Sequence, residues 1–242
     1  MPEFRGISRN SFEFMKELAA NNNQLWFEAN RARWESLREE LRAVCIEMAP
    51  FVHGLDPELE TEPKTGRCLG RINRDTRFTR DKAPYKDYID IIFFPRNHRR
   101  TEVPGLAFGL SGEERTYIGT WLGASMTDWR ERLEVNIAAH PQIFESYLEK
   151  NGNFSDMWIH SESYRKTRVE GLPPYCHTWA QRKFFYMGRL VPGEEVAAAG
   201  PNVTKIIEET FLRLYPLFIF ATSHEPVADL ERFRRKFRKT AG

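Results

Sequence analysis

The hydrophobic period of this chain changes near Gly66 from helical to alternating, and that change limits the folds open to it. Before it, Trp34, Leu37, Leu41, Val44, Met48 and Phe51 share one face of a predicted helix over residues 25–53. Arg38, Glu39, Glu40, Arg42 and Glu47 fall on other faces, so the stripe reads as a helix packed on its own sheet rather than one reserved for a partner. After the change, residues 88–94 are rich in β-branched and aromatic side chains and read as a buried strand. Residues 106–110 and 115–122 follow as strands joined by the turn signal Ser111-Gly112, and connections this short favour an antiparallel meander. Residues 67–73 are a candidate fourth strand.

Local signals place the remaining elements. Ser11 is the expected cap of a first short helix carrying Phe12, Phe14, Met15 and Leu18, and Asn21-Asn22-Asn23 ends it. Pro50 is expected to end or bend the long helix in its last turn. Residues 54–66, with Pro57 and Pro63, read as a loop. Thr127 or Asp128 caps a further helix, Pro141 opens another, and Asn151-Gly152 stops it. Residues 154–201 are poorly patterned, with one strand over 183–190. Asn202 caps a helix expected to stop near Pro216, and a last basic amphipathic helix covers 226–239. The sum is an α+β fold, an antiparallel sheet of about four or more strands packed against helices from both ends of the chain. One domain over 1–242 is expected.

Composition narrows the class. With 41% apolar, 13% aromatic and 29% charged residues the chain is neither disordered, collagen-like nor a disulfide scaffold. Three cysteines without a C-x-x-C pair suit a reducing compartment. No apolar leader is visible near the start, and the longest apolar run, 217–221, is too short to span a bilayer. The expectation is a soluble, cytoplasmic protein with no membrane span. The six histidines are scattered, and Cys176-His177 are too close to serve as a zinc pair, so no metal site is expected. Neither common nucleotide-binding glycine loop occurs, and no cofactor is expected.

The net charge of +2 excludes a uniformly basic nucleic-acid coat, but it conceals segregation. Residues 64–100 hold eleven Lys and Arg against four Asp, a local excess of seven. The densest part is Arg71, Arg74, Asp75, Arg77, Phe78, Arg80, Asp81, Lys82, Pro84, Tyr85 and Lys86. Guanidinium forks grip phosphate or carboxylate and stay charged when partly desolvated, and Phe78 and Tyr85 offer ring faces beside them. Asp75 and Asp81 either orient the arginines or act on a substrate. So many nearby cations should keep them ionised, which favours orientation.

Three readings stand. In the first, Arg71, Arg74, Asp75, Arg77, Phe78, Lys82, Tyr85 and Lys86 bind a small phosphate- or carboxylate-bearing ligand, with Arg71, Arg74, Arg77 and Lys82 converging on a cleft; whether the protein is an enzyme is left open. In the second, the partner is nucleic acid, favoured by the basic run 96–100 and the basic C-terminal helix, though the pI of about 8.4 is low for such domains. In the third, alternating Arg and Asp satisfy one another as a structural lattice with no ligand.

The same residues carry a resemblance. Arg71-x-x-Arg74-Asp75-x-Arg77-Phe78, followed by Asp81-Lys82-x-Pro84-Tyr85-Lys86 and preceded by Asn21-Asn22-x-x-x-Trp26-Phe27, resembles a bacterial family catalogued as domain of unknown function 2461. Asn73 departs from the aromatic residue the family pattern implies there. The resemblance implies a family without an assigned activity, so it transfers no catalytic residue. Trp26 and Phe27 are expected as core anchors that can also line a pocket with the arginine motif, if the fold brings the two segments together.

Overall fold

A computed structural model describes residues 4–77, 80–166 and 170–237. Three helices open the chain: α1 (Arg9–Ala20), α2 (Gln24–Ala29) and α3 (Arg31–Leu55). The meander follows as β1 (Tyr88–Phe93), β2 (Gly105–Ser111) and β3 (Arg115–Leu122). Next come α4 (Thr127–Ala139), α5 (Pro141–Lys150), β4 (Trp158–Ser163), α6 (Pro174–Ala180) and β5 (Arg182–Pro192). The described chain closes with α7 (Gly193–Ala199), α8 (Val203–Thr222) and α9 (Pro226–Phe237).

The five strands form one antiparallel sheet in the order β1-β2-β3-β5-β4. Strand pleating sends Ile89, Ile91, Phe93, Leu106, Phe108, Leu110, Ile118, Phe185 and Met187 to one face, where all are buried. Helix α8 packs on β2, β3 and β5, α3 on β1, and α1 on β2, so helices from both ends of the chain cover that face. The stripe of α3 is buried there from Trp34 to Val52. The sheet's other face is only partly covered.

Several local signals are overruled by longer-range contacts. Ser11 does not cap α1; the helix begins two residues earlier. The Glu40 carboxylate of α3 accepts from the Ser8 backbone N–H (3.0 Å) and the Ser11 hydroxyl (2.6 Å), so a neighbouring helix orders this first turn. The expected helix over 25–53 is two helices, because Asn30 leaves helical geometry and its side chain donates to the Trp26 carbonyl (2.9 Å). Pro50 and Pro216 both lie inside helices that continue to Leu55 and Thr222. An interior proline costs about 3 kcal/mol, whereas each large apolar side chain buried beyond Pro216 (Leu217, Phe218, Ile219 and Phe220) returns roughly 1.5–3 kcal/mol.

Residues 67–73 are not a fourth strand. They lie along the β1 edge with Gly70 N–H on the Asp90 carbonyl (2.8 Å) and Ile92 N–H on the Cys68 carbonyl (2.9 Å), but they pair only at isolated positions. Gly70 permits the approach, since a Cβ there would fall 2.1 Å from Asp90 Oδ1. The additional strands are β4 and β5, both within the poorly patterned stretch, and the strand expected over 183–190 lies inside β5. Helix α4 starts at Thr127 with Met126 at the cap position, one residue before Thr127 and two before Asp128, the expected caps. Phe78, Arg238 and Lys239 lie outside the described residues. Among the described residues the three cysteines are free and buried, and no helix is long and apolar enough to cross a membrane.

Candidate functional site

The two segments that the sequence leaves apart meet at Tyr85. After α1 ends at Asn21, Asn22 turns its side-chain amide onto the Tyr85 backbone: Asn22 Nδ2 donates to the Tyr85 carbonyl (2.9 Å) and Tyr85 N–H donates to Asn22 Oδ1 (3.0 Å). Asn23 accepts from Trp26 N–H (3.0 Å) and starts α2, which delivers Phe27 flat onto the buried Tyr85 ring at 4.0 Å and 14°. Trp26 and Phe27 also touch Phe14, so both anchor the core.

Tyr85 thereby fixes the base of a loop. Arg74 N–H donates to the Pro84 carbonyl (2.9 Å) and Lys86 N–H to the Ile72 carbonyl (2.8 Å), closing an excursion between them. Inside it Arg74, Asp75, Arg77, Asp81 and Lys82 each find a partner nearby. Arg74 pairs with Asp81, whose Oδ1 also accepts the Ala83 N–H (3.0 Å). Asp75 accepts from Arg77 Nε (3.0 Å) and Nη2 (2.7 Å), and Lys82 Nζ donates to the Thr76 carbonyl (2.8 Å). Arg71 stands outside the excursion, exposed, with its guanidinium beside Gly66. The four cations predicted to converge thus turn each to a different neighbour.

Hydrogen bonds from Arg77 hold the Asp75 carboxyl down at about 2, and the Ala83 N–H followed by Arg74 lowers that of Asp81. Both are ionised anchors at neutral pH. Because the folded pKa of Asp75 lies below its ordinary 3.8, its contribution to stability is complete above about pH 4 and lost as pH falls through 2. An Asp75→Asn variant should therefore show a flatter acid side in stability measured between pH 4 and 2. An unchanged acid profile would mean that the Asp75–Arg77 pair does not persist in solution.

Lys86 differs from these cations. Its side chain is half-buried and burial lowers its pKa; Asp90 opposes this and Arg100 adds to it. Asp90 is already engaged by Arg100 Nη2 at 2.9 Å, with the two side chains only 21% and 13% exposed. Among the described residues the buried Arg100 Nε atom has no hydrogen-bond partner. Two cations thus share one carboxylate, and Lys86 makes no ion pair among the described residues; its Nζ lies 5.1 Å from the centre of the Tyr88 ring. Tyr88 opens the less covered face of the sheet.

That face carries an aromatic strip which the sequence reading did not single out. Tyr88, Trp158, Tyr186 and Leu190 are 47%, 42%, 40% and 39% exposed. Pairing registers align Gly119 with Gly188 and Gly188 with Trp158, and Trp121 with Tyr186 and Tyr186 with His160. Tyr117 lies across the two glycines with its hydroxyl 2.8 Å from the Thr120 carbonyl and 2.9 Å from that of Met187, and Trp158 stands edge-on to it at 6.0 Å and 82°. Trp158, His160, Phe184 and Tyr186 continue in ring contact. Towards β1 the face is covered by Val103, which joins Ile92, Phe94 and Ala107 in a small second core. The signal lay in period-two aromatics at 158 and 160 and at 184 and 186, read across strands that only the fold pairs.

Two surface clefts lie elsewhere. One of about 670 Å³ is lined by Asp56, Tyr215, Asp229, Arg232 and Lys236, and one of about 540 Å³ by Arg38, Arg42, Glu62, Lys64 and Leu69. Among the described residues no three His, Cys, Asp or Glu side chains are grouped to hold a metal ion. A comparison with curated proteins finds no match. A family model described as a conserved hypothetical protein matches residues 10–220, a span that includes the Asn21-Asn22 turn, the closed arginine loop and all five strands. The chain therefore belongs to the DUF2461 family of conserved hypothetical proteins.

Proposed function

We propose that the chain binds an anionic ligand, bearing phosphate or carboxylate, where the arginine loop joins the sheet. The observation that carries this reading is the half-buried Lys86 ammonium whose nearby carboxylate, Asp90, is taken by Arg100. Burial makes an uncompensated cation costly, and an incoming anion relieves the cost. Arg74, Asp75, Arg77, Asp81 and Lys82 shape the loop through their mutual contacts, Tyr85 fixes its base, and Arg71 adds exposed positive charge beside it. The ionised state of Asp75 and Asp81 suits anchoring rather than proton donation, so the reading is one of binding.

The pH dependence has a definite sign. The folded pKa of Lys86 lies below its ordinary 10.5, so its charged form costs stability at neutral pH. That cost is relieved on binding an anion, or as pH rises from the lowered pKa through 10.5. Anion binding should therefore be full at neutral pH and weaken as pH rises, starting before pH 10.5 is reached.

Thermal unfolding with inorganic phosphate tests the proposal, with sodium chloride at matched ionic strength as the reference. Phosphate at a hundredfold excess over its Kd would stabilise the wild-type protein by about 2.7 kcal/mol. Lys86→Met, which retains the aliphatic stem, should lose most of that gain. Equal phosphate responses in the two proteins would remove Lys86 from the site.

A further inference from the structure

We infer that the ligand is single-stranded nucleic acid, laid across the less covered face of the sheet with a phosphate at Lys86 and bases against the rings beyond it; the inference rests on the anion site just proposed. Two features of the face select this occupant. Its exposed groups are planar rings at the surface of strands, and base stacking on aromatic side chains is tolerant of sequence because every base has a π-face. Its charge is complementary at one edge: Lys86 and Arg100 share one carboxylate beside the exposed Tyr88 ring.

The geometry provides a floor and a wall. Tyr117 lies across the Gly119–Gly188 pair, tied down through its hydroxyl, and the Trp158 ring rises at 82° beside it. Tyr186 lies along the same strip and is 40% exposed. With strands about 4.8 Å apart, the distance from β1 to β4 is about 19 Å, which suits an extended strand rather than a single ring. A duplex hides its base faces and would meet only the phosphate contact. Arg115 and Lys183, near the starts of β3 and β5, already have Glu113 and Glu162 as partners at 3.9 and 3.1 Å. Few phosphates should therefore be neutralised, and stacking should dominate the affinity.

Fluorescence anisotropy with fluorescein-labelled dT12 and U12, and a 12-base-pair duplex as control, tests this on the full chain. The expected result is binding of the single strands and at least tenfold weaker binding of the duplex. Trp158→Ala should weaken single-strand binding about tenfold or more, with Trp158→Phe restoring most of it. Lys86→Met should instead lower the slope of log K against log salt by about 0.7, the contribution of one phosphate on a single strand. Circular dichroism checks that the variants are folded, which the exposure of Trp158 favours. Single-strand binding unaffected by Trp158→Ala, or equal binding of the duplex, would overturn the inference. Phosphate stabilisation through Lys86 with no oligonucleotide binding would overturn it and leave the anion site standing. Loss of both responses would remove the anion site as well. Self-association that depends on Trp158, without oligonucleotide binding, would overturn it by assigning the face to a second copy of the chain.

Discussion

Tyr85→Ala is expected to destabilise the protein by about 3–5 kcal/mol, the range for removing a buried aromatic side chain. The ring is 5% exposed and stacks on Phe27 at 4.0 Å, so its loss leaves a cavity between α2 and the base of the arginine loop. Asn22 binds the Tyr85 backbone and not its side chain, so that pair of hydrogen bonds survives only if the backbone stays in place. Urea unfolding measures the loss. Tyr85→Phe keeps the stacked ring and should stay within about 1 kcal/mol of wild type. Because Lys86 follows directly and its N–H closes the loop on Ile72, Tyr85→Ala should also weaken phosphate binding, whereas Tyr85→Phe should not. If Tyr85→Ala unfolds at the wild-type urea concentration, the Phe27–Tyr85 stack is not what joins the two segments.

Gly188→Ala is the second large effect, near 3 kcal/mol or beyond the point of folding. A Cβ at 188 would lie 2.1 Å from the Ile118 carbonyl oxygen and 2.7 Å from the Gly119 Cα, both backbone atoms of the adjacent strand. Strand β5 pairs with β3 and β4 at once, so it cannot give way without opening a ladder. The Tyr117 ring, which spans this glycine pair, would lose its seat. Gly123→Ala is the control: its nearest neighbour is the flexible Met126 side chain at 3.5 Å, an ordinary contact. Urea unfolding should separate the two alanines clearly. Equal midpoints would mean that the centre of the sheet is looser than its register implies.

The meander was legible in the sequence because its strands are rich in β-branched and aromatic residues and β2 meets β3 through a turn of three residues. The stripe on α3 was legible because it has one polar and one buried side. Strand β5 was legible over 183–190, whereas β4 was obscured because its outward positions carry Trp158 and His160, which erase the contrast between apolar and polar sides. At Pro216 a sound local rule failed, since burial of the apolar run after it outweighs a missing helix bond. The arginine motif was visible as residue types, yet whether its charges face a ligand or one another depends on chain reversals that spacing does not encode. Arg77 reaching back to Asp75 and Arg74 reaching across to Asp81 are such reversals. Asn22 holding Tyr85 across 63 residues is likewise invisible in either segment alone. The aromatic strip is assembled from four strands and exists only once they are paired.

The proposed anion site rests on Lys86, a half-buried ammonium beside a carboxylate that Arg100 already holds. Lysine-selective carbon NMR, with the Lys86 signal assigned by its loss in Lys86→Met, measures its titration directly. The expected midpoint lies below 10.5 in chloride and moves upward when phosphate is added, while the other lysines stay in place. A Lys86 signal that titrates at 10.5 and ignores phosphate would contradict it.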